Sequence, residues 1–160
     1  MSVAATRLLR LRRLTRCLLQ ALAIPAALAA TVPIAWAGCD NVAPLAGQTV
    51  TCSAAAPNPQ TVPVSANGEA GITLNVASGA QLQQSGGGSA ISLLGAGGHQ
   101  LGNQGAISSV GGIAVQLGGG SRVDNLGSIS TGNNTALQFV GAGDSVLVNR
   151  GTISGRTGVQ

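Results

Sequence analysis

The chain is poor in the side chains from which most binding and catalytic sites are built. Its 160 residues include no Tyr, one Phe, one Trp, one His and four acids, and all eight basic residues are Arg. From Gly38 onward there are three Arg and four acids, so the formal charge of that part is −1. A nucleic-acid-binding surface needs basic side chains spread over a folded face. We therefore expect no nucleic-acid partner.

The first 37 residues differ in composition from the rest. They hold five Arg, no acid and no Gly, whereas all 25 Gly follow. A basic stretch to Arg16 precedes an apolar run from Cys17 to Ile24, then small residues, and the segment ends in Ala-Trp-Ala. This three-part pattern predicts a helical signal peptide over residues 1–37, cleaved between Ala37 and Gly38. Export by Sec-type machinery is the expected consequence.

Two alternatives to cleavage between Ala37 and Gly38 remain. The 21 uncharged residues from Cys17 to Ala37 are nearly long enough for a transmembrane anchor, although Pro25 and Pro33 weaken that interpretation. Ala37-Gly38-Cys39 also resembles the end of a lipoprotein cleavage site, so lipidation of Cys39 is a second alternative.

Cysteine usage agrees with export. After removal of the leader, Cys39 and Cys52 are the only cysteines, an even number for an oxidising compartment. Their spacing suits neither a zinc ribbon nor a Cys-x-x-Cys redox pair, and the single His is distant in sequence. We predict a disulfide between them, worth about 3 kcal/mol.

A short unit recurs in the second half of the chain. Asn-x-Gly-(Ala/Ser/Thr)-Ile occurs three times, at intervals of 22 and 24 residues, with two further alternating apolar runs in each interval. The repeated corner positions are Asn103, Gly105, Asn125, Gly127, Asn149 and Gly151. A fixed period of this length indicates a solenoid, and a propeller blade of about 40 residues is too long for it. Leucine-rich repeats would need regularly placed Leu and a helical half.

The pattern therefore predicts an all-β fold, a parallel β-helix with about 22–24 residues and three strands per coil. Coils would stack at about 4.8 Å. A narrow interior explains why aliphatic residues suffice and aromatic ones are nearly absent. We expect the corner Asn to adopt positive φ and to hydrogen-bond to its neighbour in the next coil. The Gly two places later would relieve the tight corner.

The domain organisation follows from this repeat. Residues 67–160 are assigned to three or four coils, and residues 38–66, which fall outside the repeat and hold four of six Pro, to a disulfide-bearing N-terminal cap. A disordered Gly/Ser-rich linker is the alternative, since the 52 residues from Ala70 to Ser121 carry no formal charge.

Taken together, these features resemble the start of an autotransporter passenger domain of type V secretion. The resemblance rests on the Arg-rich leader, the Cys39 and Cys52 pair, Val62-Pro63-Val64, Ile72-Thr73-Leu74-Asn75-Val76 and the Asn-x-Gly-(Ser/Thr)-Ile units. It implies a right-handed β-helix, export and surface display. The chain reaches Gln160 in the middle of a coil, so we expect an N-terminal fragment that lacks the C-terminal β-barrel.

Residues for chemistry are few. His99 lies in a Gly-rich stretch and is expected to be an exposed turn residue, and Gly143-Asp144-Ser145 to be a turn. Four acids and three Arg after residue 37 do not readily supply a lyase or protease site. We predict no enzyme activity, no cofactor and no metal.

Two functions from different classes therefore compete. The favoured one is a structural or adhesive surface stalk whose partner is a host-cell or matrix surface. The alternatives are a piece of a β-helix polysaccharide lyase or protease passenger whose active residues lie beyond Gln160, or a non-functional stub. An open β-helix end also predicts marginal stability and self-association.

Overall fold

The computed structural model describes residues 38–160, which form a parallel β-solenoid with no helix in that range. The predicted signal peptide, residues 1–37, and its last residue Ala37 lie outside the described residues. Fourteen short strands alternate with turns. In chain order they are β1 Thr49–Cys52, β2 Val64–Asn67, β3 Thr73–Val76, β4 Gln81–Gln84, β5 Ile91–Leu94, β6 Gln100–Asn103, β7 Ala106–Ser109, β8 Val115–Gly118, β9 Arg122–Asn125, β10 Ser128–Thr131, β11 Thr135–Val140, β12 Val146–Asn149, β13 Thr152–Ser154 and β14 Thr157–Val159.

The strands assemble into three sheets that run along the solenoid axis. Sheet A has the order β1-β3-β6-β9-β12, sheet B the order β4-β7-β10-β13, and sheet C the order β2-β5-β8-β11-β14. All strand pairs are parallel, and each coil visits A, B and C in turn. In the first coil a single bridge from Gln60 to Leu82 takes the place of a sheet B strand. The predicted three-strand coil is confirmed.

The core consists of aliphatic columns. Alternate side chains of each strand point inward, and the register aligns the aliphatic residue of one coil with that of the next. In sheet A the column runs Val50, Leu74, Leu101, Val123 and Leu147. Sheet B stacks Leu82, Ile107, Ile129 and Ile153. Ile107 and Ile129 are fully buried, and each such side chain contributes roughly 1.5–3 kcal/mol relative to exposure. Leu147 and Ile153, in the last coil, are only partly buried.

The solenoid begins earlier in the chain than the repeat suggested. β1 pairs with β3 and β2 with β5 in continuous register, so the segment predicted as a cap outside the repeat supplies a coil of its own. The described part of the chain thus has five coils: the four that begin at β3, β6, β9 and β12, in agreement with the three or four predicted for residues 67–160, and one more before them. The intervals also vary more than predicted: the coil from Thr73 to Gln100 spans 27 residues.

The residues before β1 cover its free edge. Cys39 forms an antiparallel bridge with Cys52. The Asp40 amide donates to the Thr51 carbonyl at 3.0 Å, and the Asp40 carboxylate accepts the Thr51 amide at 2.9 Å. The backbone groups of Thr51 at this sheet edge are thus already paired and are not free to bind another strand.

Candidate functional site

The corner Asn residues form a continuous internal ladder. Asn103 and Asn125 end strands β6 and β9 and are buried, with side chains 0% and 1% exposed. The Asn103 side-chain amide donates to Asn125 Oδ1 at 2.8 Å, and that of Asn125 donates to Asn149 Oδ1 at 2.7 Å. The predicted hydrogen bonds between coils are therefore confirmed.

Each ladder amide also donates a hydrogen bond to a backbone carbonyl at the corner of the next coil. The second amide hydrogen of Asn103 reaches the Ser128 carbonyl, and that of Asn125 reaches the Thr152 carbonyl, each at 3.2 Å. At the start of the ladder, Asn103 Oδ1 accepts the Gly105 amide at 3.1 Å. The ladder thus satisfies polar groups that an apolar side chain would leave unpaired inside the solenoid.

The expectation of positive φ at the corner Asn was wrong. Between residues 38 and 160 every residue with positive φ is Gly. Asn103 and Asn125 instead keep the extended conformation of their strands, because their side chains must point inward to bond along the axis.

The corner Gly is required by contact between coils rather than by φ. A Cβ on Gly127 would overlap the Gly105 carbonyl oxygen, and one on Gly151 would overlap that of Gly127. None of these three glycines has positive φ. The backbones of successive corners therefore stack too closely for any side chain.

The two cysteines of the first coil are joined. Cys39 and Cys52 form a disulfide between the end of β1 and the segment that covers it, with both side chains buried. Cys52 is aligned with Val76 and Asn103 in sheet A. The disulfide therefore lies at the start of the row of aligned positions that Asn residues occupy from the third coil onward. The carbonyl of Gly38, the predicted first residue after cleavage, accepts a hydrogen bond from the Ser53 amide at 2.8 Å.

His99 is buried, contrary to the expectation of an exposed turn. Its side chain is 1% exposed, and Nδ1 accepts the Ile72 amide at 3.3 Å. Burial lowers the pKa of His99. Because Nδ1 is an acceptor, the neutral ring carries its proton on Nε2, which has no partner among residues 38–160. The His99 ring thus lies in the core, next to Ile72 of the preceding coil.

A groove that the sequence did not reveal lies at the corner between sheets B and C. It encloses about 470 Å³ and is lined by residues of the first four coils. Its floor includes the outward side chains Ser65, Ser92 and Gln116, which are aligned across β2, β5 and β8. The signal in the sequence is the polar residue at the centre of each alternating run, as in Ile91-Ser92-Leu93 and Val115-Gln116-Leu117.

Charged side chains are dispersed over the described surface. Arg122 and Asp124 form a two-bond ion pair on the outside of β9, at 2.8 and 2.9 Å, with both side chains about half exposed. An exposed ion pair of this kind contributes little to the stability of the fold. No group of three or more His, Cys, Asp or Glu residues lies close enough to share a metal ion within residues 38–160. Over the same range, no helix has the length and apolar character to cross a bilayer.

Comparison with known proteins adds no relative. A scan of protein-family models, a search of curated proteins and a search of solved structures each found no match to this chain. Its class is therefore defined by the fold itself, a parallel β-solenoid with an internal Asn ladder.

Proposed function

We propose that this chain is the N-terminal part of an exported, autotransporter-type passenger, and that it acts as a structural or adhesive stalk at the cell surface rather than as an enzyme. Its partners on this account are the Sec-type export machinery and a host-cell or matrix surface.

One observation carries the proposal. The Asn-x-Gly-(Ala/Ser/Thr)-Ile units form successive coils of one solenoid, with an aliphatic core and an axial Asn ladder. Each coil contacts mainly its neighbours, so the fold grows along one axis and presents one face for each of its three sheets. Such a shape suits a stalk.

Two features near residue 38, one structural and one in the sequence, support export. A disulfide between Cys39 and Cys52 needs an oxidising compartment to persist. The residues immediately before it carry the predicted cleavage pattern.

The experiment locates the protein in cells that make it from its natural gene. An antibody against residues 38–160 would follow the protein during protease treatment of intact cells, and the N-terminus of the purified product would be sequenced. We expect a chain that begins at Gly38, is oxidised at Cys39 and Cys52, and is digested from outside. A protease-protected chain that retains residues 1–37 would refute the proposal. An intracellular protein of known location serves as the control for intact cells.

A further inference from the structure

The groove at the corner between sheets B and C arises from unequal connections. The link from β4 to β5 has six residues, that from β7 to β8 five, that from β10 to β11 three and that from β13 to β14 two. The longest link contains Gly86, Gly87 and Gly88, and the last two of these line the groove. The two longest links together supply five of its eleven lining residues: Gly87, Gly88, Ser89, Gly112 and Ile113.

The floor of the groove is part of a polar column that is held in place at one end. Ser65, Ser92, Gln116 and Gln138 are aligned across four strands of sheet C. Gln116 donates to Gln138 Oε1 at 2.9 Å and accepts from the Ser89 hydroxyl at 3.2 Å. The amide of Gln116 is thus fixed in orientation.

The other end of the column has free hydrogen-bonding capacity. Within residues 38–160 the hydroxyls of Ser65 and Ser92 make no hydrogen bond. Ser65 is exposed and Ser92 half-buried, so both hydroxyls face the groove and solvent. Successive positions of the column are separated by about 4.8 Å, the spacing of neighbouring strands.

The lining also restricts the chemistry of a ligand. All eleven lining residues are uncharged, and they offer hydroxyls, side-chain amides and glycine backbone groups, with Pro63 and Ile113 as the apolar members. A phosphate, sulfate or carboxylate would find no cation among them. A ligand rich in neutral hydroxyl groups would match both the donors and the acceptors.

We propose that this groove binds a neutral oligosaccharide, lying along the column of Ser65, Ser92 and Gln116 and in contact with the link that contains Gly87 and Gly88. The inference rests on the proposed surface role, for which it names the ligand class.

The test is a titration of the purified protein with cellohexaose, maltoheptaose and chitohexaose, and with hexagalacturonate as the charged comparison. Binding would be followed by amide chemical shifts. We expect at least one neutral oligosaccharide to bind with a Kd of about 1 mM or tighter, with little salt dependence. Ser92→Leu and deletion of Gly86–Gly88, which leaves the three-residue link found in the fourth coil, should each weaken binding by about tenfold or more.

Ser108→Leu is the matched control, since Ser108 is a half-buried outward residue of β7 on sheet B and does not line the groove. It should leave the Kd unchanged. Absence of saturable binding by every neutral probe, stronger and salt-dependent binding of hexagalacturonate, or equal Kd values in all variants would overturn the inference. A surface-located protein that binds none of them refutes only the groove, whereas a binding protein that stays inside the cell refutes only the surface role.

Discussion

Replacement of Asn125 by Ala should be the most damaging single change in the polar interior. Asn125 is 1% exposed and makes three side-chain hydrogen bonds: it accepts from Asn103 and donates to Asn149 and to the Thr152 carbonyl. A typical hydrogen bond contributes about 1 kcal/mol net, and the buried groups left unpaired cost more. We expect Asn125→Ala to lower the free energy of unfolding by about 3 kcal/mol.

Two other Asn residues provide matched controls. Asn149 receives the last bond of the ladder at an exposed position, so Asn149→Ala should cost about 1 kcal/mol. Asn133 is exposed in the turn before β11, and Asn133→Ala should have an effect near zero. Asn125→Asp should be at least as damaging as Asn125→Ala. A carboxylate can still accept from Asn103, but it has no proton to donate to Asn149 Oδ1 or to the Thr152 carbonyl, so these oxygens would face a negative charge.

The assay is urea unfolding followed by far-UV circular dichroism. Tyr is absent from the chain, and Phe139 is the only aromatic residue after residue 37, so fluorescence would report little. Equal midpoints for Asn125→Ala and Asn133→Ala would show that the ladder does not stabilise the fold and would refute this reasoning.

Three further predictions concern the corners, the first coil and the buried imidazole. Gly127→Ala should lower the free energy of unfolding by about 2 kcal/mol, because its Cβ would overlap a carbonyl oxygen of the preceding coil. Gly158 has open space around it, so Gly158→Ala should be tolerated. Equal urea midpoints for the two variants would contradict this prediction. Reduction of the Cys39–Cys52 disulfide should lower the free energy of unfolding by about 3 kcal/mol, measured with and without dithiothreitol, and an unchanged midpoint would count against it. Burial lowers the folded-state pKa of His99 below its usual 6.5, so the unfolded chain takes up the proton first. Stability should therefore be constant above that pH and fall as the pH drops below it, and His99→Asn should flatten the slope between about pH 7.5 and about pH 5.5.

Much of the fold was predictable because its signal is local and repeated. Each coil carries three alternating runs, and the Asn-x-Gly-x-Ile unit marks the same corner in coils three to five. The first coil was assigned to the cap because it lacks the motif: Cys52 occupies the Asn position there. Val76 occupies the same position in the second coil, which shares the alternation but not the Asn.

The remaining differences depend on register between coils, which a single run of sequence does not contain. His99 stands among glycines, yet the stack places it beside Ile72 in the interior. The role of Gly127 likewise depends on the backbone of another coil. The groove depends on the relative lengths of links that lie about 22 to 27 residues apart.

The central claim is that each Asn-x-Gly-x-Ile unit lies in register on the next, as one coil on another. Cysteine cross-linking tests it most directly. Ser108, Ser130 and Ser154 occupy one outward column of sheet B. Adjacent positions lie at about 4.8 Å, within reach of a disulfide, whereas positions two coils apart lie at about twice that distance. The account predicts that the Ser108→Cys, Ser130→Cys double variant oxidises to an intramolecular cross-link and that the Ser108→Cys, Ser154→Cys variant does not. A cross-link in the second variant but not in the first would contradict the solenoid register.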